Sequence, residues 1–289
     1  MFRNMRMTSL KTGFFAAAAV LCLFAPYAQA RQRGDERNAF KSYYTPDYLA
    51  FKKRMLAEFA KVPPGKLSEF VKRVKTGGDK GGDRNQKVLA FTFDACGGFN
   101  DGYNEKLIAY LRREQIPATL FITGLWIEKN KATFAELAKD PLFEIENHGL
   151  MHRLCSTEGR TMYGVNATRD LGDVIDEMEL CARKIAELTG RRPLFFRSAT
   201  AFTDELSLKV AARLGMEVVS YDVLSGDAMK APAKTISRNI LKGARHGAVV
   251  IMHFNHPEWP VLEGLELAVP ELRKRGYDFI KLEDFSIKP

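Results

Sequence analysis

The stretch Val88-Leu89-Ala90-Phe91-Thr92-Phe93, which leads into Asp94 and breaks at Gly97-Gly98, decides the fold of this chain. A short, nearly continuous apolar run is typical of a strand that is buried on both faces of a parallel sheet. Six further runs of this kind follow, with amphipathic helical windows between them, at residues 118–123, 143–145, 194–196, 217–221, 248–252 and 278–282. This alternation predicts an α/β fold, either closed into a barrel or open and doubly wound.

The residues before this domain, 31–86, are predicted to form a short helical extension and a linker. Phe51, Met55 and Phe59 recur at every fourth position, as on one face of a helix, and residues 67–74 carry a second amphipathic pattern. The glycine-rich run 76–83 is typical of a flexible linker. Because the extension is too small for a core of its own, we expect it to pack on the α/β domain, residues 87–289.

The first 30 residues have the three parts of an export signal. Three basic residues precede an apolar region at 14–24, and Ala28-Gln29-Ala30 offers small residues to a signal peptidase. The apolar region is short for a membrane span, and Leu21 before Cys22 is too bulky for a usual lipoprotein site. We expect cleavage after Ala30 and a periplasmic or secreted protein without a stable membrane anchor.

The composition is that of a globular protein, with 46% hydrophobic and 27% charged residues. The net charge of +9 falls to +6 in the expected mature chain, because the signal holds three basic residues and no acidic one. With no P-loop, and no G-x-G-x-x-G after the first strand, neither nucleotide nor nucleic acid is predicted as a partner. Of the three cysteines that remain, Cys155 and Cys181 are a candidate disulfide. The sequence does not define the oligomeric state.

Polar residues follow several predicted strands, where the sites of parallel α/β folds are built. Asp94 ends the first strand; His148 and His152 follow the third at a spacing that lets two imidazoles share one face of a helical turn and bind one ion. Arg197 follows the fourth strand, and its charge must be paired if it is buried. A loop-capping role for Asp94 and a structural ion pair for Arg197 stay open at this stage.

Two further polar residues complete the set. Asp227 lies in Ser225-Gly226-Asp227 after the fifth strand, and His253 ends the sixth. A single histidine in such a place is often a core residue, but convergence of all these side chains on one rim is hard to explain by packing. Trp259, just past His253, could stack on a sugar ring or simply anchor its loop.

In this order the residues resemble the five motifs of the polysaccharide deacetylase family (carbohydrate esterase family 4, the NodB homology domain). The motifs are Thr92-Phe93-Asp94, His148-x-x-x-His152, Arg197, Ser225-Gly226-Asp227 and Ile251-Met252-His253, and the resemblance covers about residues 87–284. It implies a distorted (β/α)7 barrel with the site at the carboxyl ends of the strands, in keeping with the seven predicted strand–helix pairs.

The resemblance also implies roles for these residues. Asp94 would be the general base, and Arg197 would hydrogen-bond to it and keep it ionised. His148 and His152 would bind a divalent metal such as Zn²⁺, which polarises the acetyl carbonyl. Asp227 would pair with His253, the general acid, and a backbone N–H near Thr200 would help to hold the oxyanion.

The sequence departs from the family at the expected third metal ligand. The family usually has a second aspartate directly after the base, whereas this chain has Ala95, whose methyl group cannot bind metal. Three replacements are open, in the order Asp94, Asp101 and a Cys96 thiolate, and so is a weak or absent metal. Ser198-Ala199-Thr200 and Ala228 also replace residues common in the family, so substrate preference does not transfer.

The sequence therefore predicts an exported hydrolase that removes N-acetyl, or O-acetyl, groups from a cell-wall or extracellular polysaccharide. Hydrolysis of another C–N bond, in a small molecule, is one alternative. The other is a non-catalytic glycan-binding domain in which Ala95 marks a decayed site, although such a domain would have no need of an acid and a base.

Overall fold

A computed structural model of the protein describes residues 40–69, 87–98 and 101–284, and it confirms the predicted α/β fold with a curled parallel sheet. The ten strands described are β1 Leu67–Glu69, β2 Lys87–Ala95, β3 Ala118–Ile122, β4 Phe143–Asn147, β5 Phe195–Phe196, β6 Phe202–Asp204, β7 Glu217–Val218, β8 Val223–Leu224, β9 Ala248–His253 and β10 Tyr277–Ile280. The export signal, the linker and the predicted boundary at residue 86 lie outside the described residues.

The main sheet has the order β7-β5-β4-β3-β2-β9-β8, and β10 pairs with the first half of β2. All of its strands pair in parallel. In the described part of the chain β7 and β8 are its two edges and do not pair with each other. The barrel is therefore distorted, as the resemblance implied, with a seam between these two short strands.

The seam corrects the predicted strand at 217–221. The structure has a strand only at Glu217–Val218, after which the Asp222 N–H donates to the Val249 carbonyl at 2.8 Å, beside β9. The chain thus crosses from one edge of the sheet to the other within a few residues and then forms β8. Of the amphipathic pattern at 67–74, residues 70–74 lie outside the described residues. Its first part, Leu67–Glu69, is a strand that pairs antiparallel with β6, so the helical prediction is wrong there.

Eight α-helices cover the sheet and its ends in the described ranges: α1 Pro46–Phe59, α2 Glu105–Arg113, α3 Gly124–Lys129, α4 Lys131–Lys139, α5 Leu171–Thr189, α6 Glu205–Arg213, α7 Ala233–Gly243 and α8 Val261–Lys274. The longest, α5, begins at Asp170, whose side chain accepts a hydrogen bond from the Asp173 N–H, and ends at Gly190, where φ is +73°. Over the described ranges, none of these helices has the length and apolar character that crossing a membrane requires.

Helix α1 packs on α5. Tyr48, Met55 and Phe59 are its buried residues. The Tyr48 hydroxyl hydrogen-bonds the carboxylate of Asp176 on α5, which also accepts from Lys52 at 2.7 Å. The apolar face of this extension is therefore covered by the α/β domain.

The two faces of β2 enter different apolar clusters. Leu89, Phe91 and Phe93 pack outward under the helices, whereas Val88 and Ala90 join an inner cluster that fills the barrel. Because side chains alternate along a strand, Thr92 and Asp94 share the inner face with Val88 and Ala90. This alternation directs the Asp94 carboxylate to the carboxyl end of the barrel interior.

Two buried carboxyl groups on β4, Glu144 and Glu146, lie deeper in the structure. Each has one oxygen that accepts hydrogen bonds, Glu144 from Thr119 and Leu282 and Glu146 from the Phe195 N–H, and one oxygen without a partner among the described residues. Burial raises the pKa of Glu144 to about 7, and burial together with the neighbouring Glu144 raises the pKa of Glu146.

Because the folded state holds these protons more tightly than the unfolded state, the free energy of unfolding should fall as the pH rises from about 5 to 8. Glu146→Gln should be more stable than wild type by about 1–3 kcal/mol at pH 8, with little difference at pH 5. Urea unfolding at both pH values measures this. The exposed Glu136→Gln on α4 is the control for the same chemical change. Equal stabilisation at both pH values would contradict the expectation.

Candidate active site

Asp94 and Arg197 form a buried ion pair at the carboxyl end of the barrel. Asp94 is the next-to-last residue of β2 and is 2% exposed, and its Oδ1 accepts a hydrogen bond of 2.7 Å from Nη1 of the fully buried Arg197. Burial by itself would raise the pKa of Asp94, but the Arg197 guanidinium, together with His148 and His253, outweighs burial, and the pKa is lowered. The carboxylate is thus ionised, as a general base must be.

Arg197 also binds the segment that crosses the seam of the barrel. Its Nη2 donates to the Ser220 carbonyl at 2.9 Å and its Nε to that of Val219 at 3.4 Å, both on the segment that joins β7 to β8. Its Nη1 also reaches the Thr92 hydroxyl at 2.9 Å, and its guanidinium stacks over the Phe121 ring. The buried charge is therefore paired, as expected, and its other donors are used as well.

His148 presents one nitrogen to the site. Its Nδ1 lies 2.8 Å from the backbone carbonyl of Arg197. A carbonyl oxygen can only accept, so Nδ1 carries the hydrogen, and in the neutral ring the Nε2 lone pair is free. Nε2 lies 3.6 Å from Asp94 Oδ2 and 4.0 Å from Cys96 Sγ.

His152 lies beside His148, with their ring centroids 4.9 Å apart, although the two are not on a helical turn as the spacing predicted. The chain turns irregularly after β4, with left-handed backbone at Gly149 and His152. A side chain at Gly149 would place its Cβ 2.4 Å from Glu177 Oε1, which explains the glycine. The predicted convergence of the two imidazoles is observed, but its structural basis is different.

The donor set fits a divalent metal. Burial lowers the pKa of both His148 and His152, which favours the neutral imidazoles that bind metal ions. Nitrogen atoms of the pair lie within 4.8 Å of each other and of Cys96 Sγ. Asp101, by contrast, accepts from the Gly98 N–H at 2.7 Å and lies 3.3 Å from His256, so the structure places it with a different histidine.

Asp227 and His253 form a second pair. Asp227 Oδ2 lies 3.1 Å from His253 Nδ1 and accepts from the His253 backbone N–H at 2.6 Å. Burial would lower the pKa of His253, but the Asp227 carboxylate, with a further contribution from Cys96, raises it well above the usual range. Since His253 pairs with Asp94 in the β2–β9 register, a protonated imidazole and an ionised carboxylate end neighbouring strands.

Three residues that were not predicted from the sequence bind backbone N–H groups around the histidine pair. Asn147 Oδ1 accepts from the Gly149 N–H, Glu177 Oε1 from the N–H groups of Met151 and Arg153, and Ser198 Oγ from the Cys155 N–H. Glu177 could have been noticed as an acid on the otherwise apolar stripe of α5. Ser198 thus has a structural use where the family often has proline.

Three other predictions have separate outcomes. Cys155 and Cys181 are both buried free thiols, so the candidate disulfide is wrong.

Trp259 is half-buried, with its ring stacked on His256 at 3.9 Å and edge-on to His253 at 5.4 Å, as expected of a loop anchor. The oxyanion role for a backbone N–H near Thr200 stays a prediction.

A family model described as polysaccharide deacetylase matches residues 81–219. Peptidoglycan-N-acetylmuramic acid deacetylase PdaA of Bacillus subtilis is 26% identical over 207 residues, which cover 70% of this chain and 73% of that protein. Uncharacterized protein YlxY of the same organism is 25% identical over 198 residues, and the match spans 68% of this chain but only 56% of YlxY. These matches support the polysaccharide deacetylase family for this chain.

Solved structures have the same fold. A mutant of BA3943, a CE4 family pseudoenzyme from Bacillus anthracis, with restored enzymatic activity, superposes with a TM-score of 0.58 at 22% identity over 70% of this chain and 68% of that one. The Bc1960 peptidoglycan N-acetylglucosamine deacetylase gives 0.59 at 23% identity, over 72% and 93%. A cobalt-containing family 4 acetyl xylan esterase from Clostridium thermocellum gives 0.55 at 21%, over 68% and 89%.

Among the relatives found by sequence, PdaA and the peptidoglycan-N-acetylglucosamine deacetylase PgdA of Listeria monocytogenes are named as deacetylases. They support the predicted class, a polysaccharide deacetylase-like hydrolase. The roles implied for six residues stay predictions that the geometry of the site supports: Asp94, His148, His152, Arg197, Asp227 and His253.

Proposed function

We propose that this chain removes acetyl groups from an acetylated cell-wall glycan after export, by general acid–base hydrolysis assisted by a divalent metal. The observation that carries the proposal is the placement of an ionised Asp94 and a protonated His253 at the ends of neighbouring strands, beside two neutral imidazoles. PdaA, named for a peptidoglycan deacetylase activity, supports the choice of a glycan substrate.

In the proposed reaction Asp94 takes a proton from the attacking water. Its second oxygen, Oδ2, is the one available for this step, because Oδ1 is bound by Arg197. His253 then donates a proton to the leaving amine, and Asp227 fixes the orientation of its ring. His148 and His152 would hold the metal, which when bound polarises the acetyl carbonyl.

The test is acetate release by the purified protein from acetylated peptidoglycan, chitin oligosaccharides and acetylated xylan, compared with small amides and ureides. Release from at least one glycan and lower activity on every small amide would support the proposal. Preference for a small amide would favour the alternative C–N hydrolase. Glycan binding without turnover, with Zn²⁺, Co²⁺, Mn²⁺ or Ni²⁺ supplied, would instead identify a non-catalytic binding domain.

Export is tested separately, by fractionating cells that produce the full chain. A mature form that begins at Arg31 in the periplasm or medium is expected. A full-length protein retained inside the cell would contradict the proposed export but would not test the proposed reaction.

Asp227→Asn should make the reaction more sensitive to alkaline pH. The uncharged amide no longer stabilises the imidazolium, so the pKa of His253 falls, and the acid is lost at a lower pH. The descending limb of kcat/KM against pH should move down by roughly 1–2 pH units, with the ascending limb unchanged. The matched control is Asp222→Asn, which alters another buried carboxylate, one that pairs with Arg245. An unmoved descending limb would exclude His253 as the acid.

A further inference from the structure

We propose that the Cys96 thiolate is the third protein ligand of the metal site, so that this chain binds its ion through one sulfur and two imidazole nitrogens. The inference builds on the metal-assisted part of the proposed function, in which only His148 and His152 were assigned. It concerns the third coordination position of the metal, for which Ala95 provides no ligand.

The course of β2 directs the Ala95 side chain away from the histidines. The Ala95 side chain packs in the outer apolar cluster with Leu125 and Trp126, on the face opposite to Asp94. A ligand at that position would have to leave the cluster to reach the histidines. The next residue, Cys96, is the first after the strand, and its Sγ does reach them.

The loop holds Cys96 in this orientation. Its carbonyl accepts from the Thr123 hydroxyl at 3.0 Å, and Lys129 Nζ donates to the carbonyls of Gly97 and Gly98 at 2.9 Å each. Gly97 has a φ of +84°, and a Cβ there would lie 2.7 Å from the Trp126 backbone nitrogen. The turn that directs the Cys96 thiol toward the histidines is therefore fixed by these hydrogen bonds and requires glycine at position 97.

The distances suit coordination. Cys96 Sγ lies 4.0 Å from His148 Nε2, and one ligand atom from each of Cys96, His148 and His152 lies within 4.8 Å of the others. Tetrahedral zinc with usual Zn–S and Zn–N bonds separates sulfur and nitrogen by about 3.6 Å. A small inward movement would close the set, while Nδ1 of His148 remains bound to the Arg197 carbonyl.

The rival ligands are engaged elsewhere. Asp94 gives Oδ1 to Arg197, and using its other oxygen as a ligand would remove the base. Asp101 is held by the Gly98 N–H and His256. A thiolate also contributes the negative charge that the missing aspartate would have supplied, and it selects thiophilic ions such as Zn²⁺ over Mg²⁺.

The test uses Co²⁺ bound to the full chain, since a cobalt–thiolate bond gives an intense near-ultraviolet charge-transfer band that oxygen and nitrogen ligands do not. One equivalent of bound Co²⁺ with this band is expected for wild type. Cys96→Ser should lose the band and weaken metal binding by more than the ~10–100-fold that loss of an outer partner of a ligand costs.

Two further variants make the result specific. Cys96→Asp should keep one equivalent of Co²⁺ but lose the charge-transfer band, because a carboxylate replaces the thiolate as ligand. If Cys96→Ser does not fold, this variant tests the cobalt–sulfur bond in its place. Cys181→Ser, which alters a buried thiol on α5, should keep the band. No Co²⁺ bound by wild type, bound Co²⁺ without the band, or a band that survives in Cys96→Ser would each overturn the proposal. An active deacetylase without the band would leave the proposed function standing, whereas the band without acetate release would leave Cys96 as ligand and refute the function.

Discussion

Asp94→Asn should lower the rate of acetate release by about 10²–10⁴-fold, the usual contribution of a general base. The amide keeps the shape of the side chain and can still accept from Arg197, but it cannot take a proton from water. The loss should therefore appear in kcat, with KM for the glycan little changed, in steady-state kinetics with saturating metal.

The same change leaves the buried Arg197 charge without its carboxylate, so stability has to be followed together with activity. The control is Asp222→Asn, whose partner Arg245 has 49% of its side chain exposed and loses less when left alone. A folded Asp94→Asn protein that releases acetate from its glycans at the wild-type rate would exclude Asp94 as the base. If this variant does not fold, His253→Gln tests the same acid–base pair from its other member.

Arg197→Met should destabilise the protein by about 3–5 kcal/mol, as expected when one partner of a buried ion pair is removed. Here the loss has two parts. Asp94 is left buried without its arginine, and the carbonyls of Val219 and Ser220, on the segment between β7 and β8, lose their donor. Urea unfolding measures the change, and Arg191→Met, which removes a half-exposed arginine paired with Glu283, is the control.

Arg197 also acts on the reaction through Asp94, which separates its role from a purely structural one. In a folded variant the pKa of Asp94 should rise, because burial remains and the guanidinium is gone. The ascending limb of kcat/KM against pH should then move toward neutral pH. Arg197→Lys keeps the charge but not the fork of donors, so it should be less stable than wild type with a smaller shift of the limb. An unchanged limb in both variants would refute the positioning role.

The strand ends were predictable because they obey a local rule. An apolar run followed by a charged side chain or an imidazole places the polar group at the carboxyl edge of a parallel sheet, and Asp94, Arg197 and His253 all lie where that rule puts them. The pairing of Asp227 with His253 came instead from the resemblance to the family, since no local pattern joins residues so far apart in sequence.

What escaped prediction depends on tertiary contacts. The histidine spacing indicated a helical turn, but Glu177 on α5 binds the intervening backbone and imposes an irregular turn. The direction of the Cys96 side chain is set by Thr123 and Lys129, and neither can be linked to it from sequence. The strand at 217–221 was cut short because the chain crosses the seam there, which depends on the edges of the completed sheet.

The pairing of β2 also bears on when this protein can fold. The strand is the first of the barrel to be synthesised, yet it pairs with β9 and with β10, the last two strands, and Lys87 lies opposite Tyr277. A nascent chain therefore lacks the β2–β9 and β2–β10 ladders until residues 248–280 have been made, and contacts of such large sequence separation form slowly. If the chain is exported unfolded, as the proposed function requires of a Sec-type signal, this delay would help to keep the barrel unformed until translocation is complete.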